Sequence, residues 1–114
     1  ALPSIQVDPE QVKEALMNLL INAREAMPEG GTLTLTTRAG QDSEVEIEVA
    51  DTGNGIAPEH LSRIFEPFFT TKAYGTGLGL TNVKRLVEDN GGTLVVNSNA
   101  GAGTSFTLRF RAAG

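Results

Sequence analysis

Apolar residues recur along this chain at two distinct periods. From Val12 to Met27, the residues Val12, Leu16, Leu19, Leu20, Ala23 and Met27 fall mostly three and four positions apart, the spacing of one helix face. Asp8 followed by Pro9 supplies a capping side chain and a proline at the first helical position. Pro28 and Gly30-Gly31 end the pattern. Glu14, Asn18, Asn22 and Glu25 form a separate polar stripe beside the apolar arc, with Asn22 nearest its edge. Residues 5–8 read as a short extended piece. A second helical pattern runs from about Gly79 to Asn90, with Leu80, Val83, Leu86 and Val87 on one face, and stops at Gly91-Gly92.

Three other segments alternate strictly. Leu33 and Leu35 alternate with threonines; Val45, Ile47 and Val49 with Glu44, Glu46 and Glu48; Phe106, Leu108 and Phe110 with Thr107, Arg109 and Arg111. Period two predicts strands with one apolar and one wet face. Thr93 to Asn97 is a fourth strand candidate. Between Asp51 and Gly79 lies a long, glycine-studded stretch with a short helical piece near His60 to Phe65. The elements sum to an α/β two-layer sandwich. Its sheet is expected to be mixed but mostly antiparallel, covered on one face by about three helices. No repeat or linker interrupts residues 1–114, which read as one domain.

Composition narrows the function. The chain has 114 residues, enough for one hydrophobic core, and 39% hydrophobic and 20% charged residues are ordinary for a soluble domain. A net charge of −5 argues against a nucleic-acid surface. Without cysteine there are no disulfides or thiolate metal sites. No apolar run approaches the ~20 residues of a membrane span, and no signal segment opens the chain. A cytoplasmic domain without direct membrane contact is expected, in a parent that could be membrane-anchored. Thirteen glycines, clustered, are the unusual number.

Asp51 continues the inward register of Val49, and a buried carboxylate is costly unless something satisfies it. Gly53 and Gly55, in Asp51-Thr52-Gly53-Asn54-Gly55-Ile56, would let a flat ligand approach the backbone. An adenine amine is a suitable donor for such a carboxylate; the same pattern also suits a strand-ending turn. Gly75-Thr76-Gly77-Leu78-Gly79-Leu80 leads into a helix N-terminus, where exposed amides can cradle phosphate, or is simply a flexible loop. Its spacing matches neither the dinucleotide nor the P-loop pattern. Asn18 and Asn22 stand one turn apart and could offer amide oxygens to magnesium, or be solvated surface residues. Thr104 shares the inward register of Phe106 and could lend a hydroxyl to a base. Lys72 could meet a terminal phosphate or be an ordinary solvated lysine. Phe65, Phe68 and Phe69 are core filling or a docking patch.

Taken together these motifs resemble the GHKL superfamily, whose nucleotide-binding domain has the Bergerat fold. The set is N-L-L-I-N-A at Asn18 to Ala23, D-T-G-N-G-I at Asp51 to Ile56, and F-E-P-F-F at Phe65 to Phe69. G-T-G-L-G-L at Gly75 to Leu80 and G-A-G-T at Gly101 to Thr104 complete it. The resemblance covers essentially the whole chain, and five motifs in order are far more specific than any one.

The resemblance implies roles. ATP and Mg2+ would be bound, with Asn22 as metal ligand and Asn18 supporting metal or phosphates. Asp51 would accept the adenine amine, with Gly53, Gly55 and Ile56 shaping the pocket and Thr104 backing the base. Gly75, Gly77 and Gly79 would bracket the triphosphate, with Thr76, Leu78 and Leu80 among the nucleotide-binding residues and roughly 66–77 forming a lid. Gyrase-like, mismatch-repair and heat-shock ATPases carry a water-activating Glu where Asn18 stands, and an amide cannot act as a general base. That substitution and F-E-P-F-F look like a sensor histidine kinase's catalytic domain, with Asn18 and Lys72 as catalytic candidates. Many such kinases have Lys where Glu25 stands, and Lys72 would supply the missing cation. The partners implied are a histidine-bearing dimerisation domain and, indirectly, a response regulator. His60, the only histidine, lacks the phosphoacceptor pattern.

Overall fold

The computed structural model describes residues 5–41, 43–66, 79–99 and 101–112. Helix α1, Pro9–Ala26, begins where the sequence places its cap: the Asp8 carboxylate accepts from the Glu10 and Gln11 amides at 2.9 and 3.3 Å. These bonds satisfy two of the amide groups that a helix start leaves open. The helix buries Ala15, Leu19 and Ala23, three residues on one face at four-residue spacing. Strands β1 (Leu33–Ala39) and β2 (Glu44–Asp51) follow, then the short helix α2 (Pro58–Leu61) and helix α3 (Gly79–Asp89). Strands β3 (Thr93–Asn99) and β4 (Gly103–Arg111) complete the order. The short helical piece expected near His60 to Phe65 begins earlier, at Pro58, and the chain from Ser62 to Phe65 continues as turns.

The four strands form one sheet in the order β1-β2-β4-β3, and each of the three pairings is antiparallel. Chain between β2 and β3 therefore crosses to the far edge of the sheet, and β4 returns to fill the gap. Helix α1 packs against β2 and α3, and α3 against β3, so both lie on one face. Val49, Phe106, Leu108 and Phe110 meet Leu19, Val83, Leu86 and Val87 between the layers. Each large side chain buried there contributes about 1.5–3 kcal/mol relative to exposure.

On the opposite face, register places Arg38, Glu46 and Arg109 side by side on β1, β2 and β4. Glu46 accepts from both arginines at 2.8 Å, and Arg38 also reaches Glu48 at 3.3 Å. The hydrogen bond to Glu46, followed by that to Glu48, raises the Arg38 pKa above its ordinary value. Strand β1 departs from the simple alternation reading. Leu33 and Leu35 stand opposite Asp51 and Val49 on the helix side of the sheet, yet lie 44% and 56% exposed, because β1 is an edge strand and the helices pack over β2 and β3. Met17 and Ile21, on the outer side of α1, are exposed as well.

Candidate functional site

Alternation delivers Asp51 to the covered face at the last position of β2. Asp51 is 8% exposed and stands opposite Thr104, which in turn stands opposite Ser98. One row across three strands therefore carries a carboxylate and two hydroxyls. Asp51 Oδ1 accepts from the Gly53 amide at 2.8 Å. Its second oxygen has no partner among the described residues, and no buried side-chain polar atom is left unpaired there, so that oxygen keeps some access to solvent. A largely buried carboxylate with one free, reachable lone-pair edge suits a donor brought by a ligand.

The chain after Asp51 is fastened on several sides. Thr52 exchanges bonds with Thr32, its amide donating to the Thr32 carbonyl at 3.2 Å and its hydroxyl accepting from the Thr32 amide at 3.0 Å. Asn54 donates to the Ala26 carbonyl at the end of α1, 3.1 Å, and accepts from the Gly101 amide at 2.6 Å. Ile56 donates to Ser98 Oγ at 2.7 Å. Two glycines are required by this packing. A Cβ on Gly53 would strike the Ala26 carbonyl, and one on Gly103 would strike the Asp51 carbonyl oxygen. Gly103 also has φ +103°, a conformation that disfavours every other L-residue.

Asn18 and Asn22 are both half-buried on the flank of α1. The same flank carries Gln11, whose side chain accepts from Asn90 at the end of α3 at 2.9 Å. The asparagine stripe thus faces the α3 side, one turn before the Ala26 carbonyl that holds the Asp51 loop. Gly79 opens α3 and is exposed, and Leu80 packs partly buried against the core. The structure brings Asp51, Gly53, Gly55, Ile56 and Thr104 together on the sheet end, with the asparagine helix joined to them through Ala26. Lys72, Gly75, Thr76, Gly77 and Leu78 lie outside the described residues, as do Phe68 and Phe69. Phe65 packs partly buried against the core, with Lys84 Nζ 5.6 Å from its ring centre and its carbonyl accepting from the Thr81 hydroxyl at 3.0 Å.

A shallow hollow of about 240 Å³ lies at this end of the sheet, lined in part by Asp51, Ser98, Gly103 and Thr104. Its other walls, Ala50, Asn97 and Ser105, belong to the opposite face. The hollow wraps the sheet end and does not define the space beside α1, so the site is argued from the Asp51 geometry. Among the described residues, no three acidic or histidine side chains cluster to hold a metal by themselves. Asparagine oxygens beside a phosphate ligand fit magnesium, which keeps few protein ligands and several waters. Among the described residues no helix is long and apolar enough to cross a membrane.

The family model for histidine kinase-, DNA gyrase B- and HSP90-like ATPases matches residues 7–114. The chain belongs to this ATPase family. Within it, the sensor histidine kinase ZraS of Escherichia coli (strain K12) is 47% identical over 107 residues. That similarity covers 94% of this chain and 23% of ZraS, so the chain spans about a quarter of that curated relative. Among solved structures, full-length ShkA in complex with AMPPNP superposes with a TM-score of 0.84 at 37% identity, covering 99% of this chain and 24% of that one. The nucleotide-free catalytic domain of histidine kinase ThkA gives 0.81 at 34% identity, covering 95% and 70%. The fold of this chain is accordingly that of histidine kinase catalytic domains, and its relatives are sensor histidine kinases, which are enzymes.

Two groups at the site escaped the sequence reading. Ser98 completes the polar row with Asp51 and Thr104, and Asn90 fastens α3 to the start of α1. For Ser98 a signal existed: Leu94 and Val96 share its parity, so extending the predicted strand by one residue turns Ser98 inward.

Proposed function

We propose that residues 1–114 are the ATP-binding catalytic domain of a two-component sensor histidine kinase. The domain transfers the ATP γ-phosphoryl group to a histidine on a separate dimerisation domain, from which a response regulator is served in turn. The observation that carries this reading is the Asp51 carboxylate, 8% exposed, with one oxygen committed to Gly53 and the other open to a ligand's donor. The adenine amine is that donor, and Thr104 stands beside it.

Asn22 holds magnesium through its amide oxygen, with Asn18 supporting the metal or the phosphates; when bound, the ion neutralises phosphate charge. Gly75 to Leu80 bracket the triphosphate by analogy with the family, and Lys72 supplies a cation to its end. The absence of a carboxylate at Asn18 supports transfer over hydrolysis, because an amide cannot take a proton from water. Catalysis then rests on positioning and charge neutralisation, with the partner's imidazole as nucleophile. The domain works on the cytoplasmic side and binds neither nucleic acid nor membrane directly.

Calorimetric titration with ADP, with and without magnesium, tests the site. Asp51→Asn replaces an acceptor oxygen by a donor and is expected to weaken ADP binding about 100-fold. Asn22→Ala is expected to remove the magnesium dependence while leaving metal-free affinity near the native value. Unchanged ADP affinity in Asp51→Asn would remove the adenine assignment, and unchanged magnesium dependence in Asn22→Ala would remove the metal assignment.

A further inference from the structure

Strand β1 forms one edge of the sheet, and among the described residues no strand pairs with its outer side. Its bonding pattern follows from the contacts that flank it. The Thr52 amide donates to the Thr32 carbonyl, and the Gly40 amide donates to the Glu44 carbonyl. Antiparallel ladders alternate bonded and non-bonded pairs, and the register between β1 and β2 is unbroken from Leu33 to Ala39. Thr34, Thr36 and Arg38 therefore spend their backbone groups on β2. Leu33, Leu35, Thr37 and Ala39 aim theirs away from the sheet.

Proteins blunt such edges with lysine, proline, a bulge or a covering element. Strand β1 shows none of these among the described residues. Its sequence LTLTTRA has no proline or lysine, and it pairs with β2 residue for residue, without a bulge. Its single charge, Arg38, is turned to the open face and held there by Glu46 and Glu48. The other edge, β3, differs: its Leu94 and Val96 pack partly buried against the core, whereas Leu33 and Leu35 are exposed. Strand β1 thus offers free backbone bonds and an uncovered apolar side together. A strand that fits it turns apolar or small side chains to the helix side and polar ones to the open side, and it lacks proline.

We propose that β1 is a self-association edge, which takes β1 of a second copy of this chain, antiparallel, about a two-fold axis at Thr36. The strand itself has the required pattern, and Thr36 is the middle of its seven residues. That axis sets outward residues opposite outward residues, Leu33 facing Ala39 of the copy and Leu35 facing Thr37. Each free amide and carbonyl of the strand then meets a partner. The two Leu35 side chains approach along a diagonal of the helix side, where cross-strand apolar contacts stabilise pairing. On the open side Arg38 faces Thr34 of the copy, so no like charges oppose each other. The inference stands apart from the nucleotide reading of the site.

Sedimentation of the 114-residue chain tests the edge, in about 0.3 M salt to screen the net charge of −5 that each copy carries. A reversible monomer–dimer equilibrium is expected with a Kd of about 100 µM, weak because one strand pair makes a small interface. Leu35→Lys is expected to raise that Kd by about tenfold or more, and Ile21→Lys, on the outer side of α1, to leave it within about twofold. The chain has no cysteine, so introduced thiols report the axis. Thr36 stands opposite its own copy in a non-bonded pair, close enough for a disulfide, whereas Thr34 stands opposite Arg38. Under dissolved oxygen Thr36→Cys is expected to form a covalent dimer and Thr34→Cys to remain free. These cysteine variants keep the test decisive where Leu35→Lys does not fold. A chain that stays monomeric up to about 1 mM overturns the proposal. So does a dimer that Ile21→Lys breaks as readily as Leu35→Lys, or equal cross-linking at positions 34 and 36.

Discussion

Asp51 spends one oxygen on Gly53 and keeps the other, and that inequality decides what its carboxylate can do. The arrangement depends on a backbone approach that only glycine permits. Gly103 lies at φ +103°, and a Cβ there would collide with the Asp51 carbonyl oxygen, itself part of the β2–β4 ladder. Gly103→Ala is therefore expected to cost about 3 kcal/mol or more in denaturant unfolding and to weaken ADP binding with it. A loss below about 1 kcal/mol would mean that the sheet end yields easily. Residues at this scale were legible where a simple period fixed them: Asp51 and Thr104 were turned inward by counting from Val49 and Phe106. Ser98 was not found, because the polar run Asn97-Ser98-Asn99 reads as a turn unless the strand is already known to continue through it. The requirement for Gly103 was hidden for a different reason. It comes from a carbonyl some fifty residues away in sequence, which no local pattern encodes.

At the scale of elements, the site depends on holding α1 against α3. One side chain ties their ends: Asn90 accepts from the Asp8 amide at 2.7 Å and donates to Gln11 at 2.9 Å and to the Leu86 carbonyl at 2.8 Å. Asp8 is in turn the cap of α1, so the knot joins the start of the asparagine helix to the end of the helix that Gly79 opens. Asn90→Ala is expected to destabilise the fold by about 1–2 kcal/mol, lowering Tm by about 5 °C, and to speed hydrogen exchange in the first turn of α1. An unaltered Tm would show that core packing alone aligns the helices. Helix and strand existence was readable from sequence because both periods are strict and the caps at Asp8 and Gly91-Gly92 agree with them. Coverage was not readable. Leu33 and Leu35 alternate as cleanly as Val45 and Val49, yet they stay exposed, since which strands lie beneath the helices depends on the order β1-β2-β4-β3. That order places β1 at an edge beyond α1, and alternation carries no record of strand order.

For the molecule as a whole, the charge balance and the site point the same way. A chain with net charge −5 would have to hold the proposed nucleotide by local means, and not by its overall field. In the proposed site Asp51 and Thr104 would receive the base, and the asparagine stripe on α1 faces where the phosphates would lie. Asn18 lacks the basicity to activate water, so the proposed kinase should need a second domain before phosphate leaves ATP. The direct test is to incubate the purified chain with ATP labelled at the γ-phosphate, with and without the histidine-bearing dimerisation domain of the same protein. Acid-labile label on that domain and phosphate released to solution are then measured. Label is expected on the partner's histidine only when both domains are present, with little phosphate released by this chain alone and none transferred by Asp51→Asn. Steady phosphate release by the chain alone, with no label on the partner, would contradict the kinase reading and identify a self-sufficient ATPase.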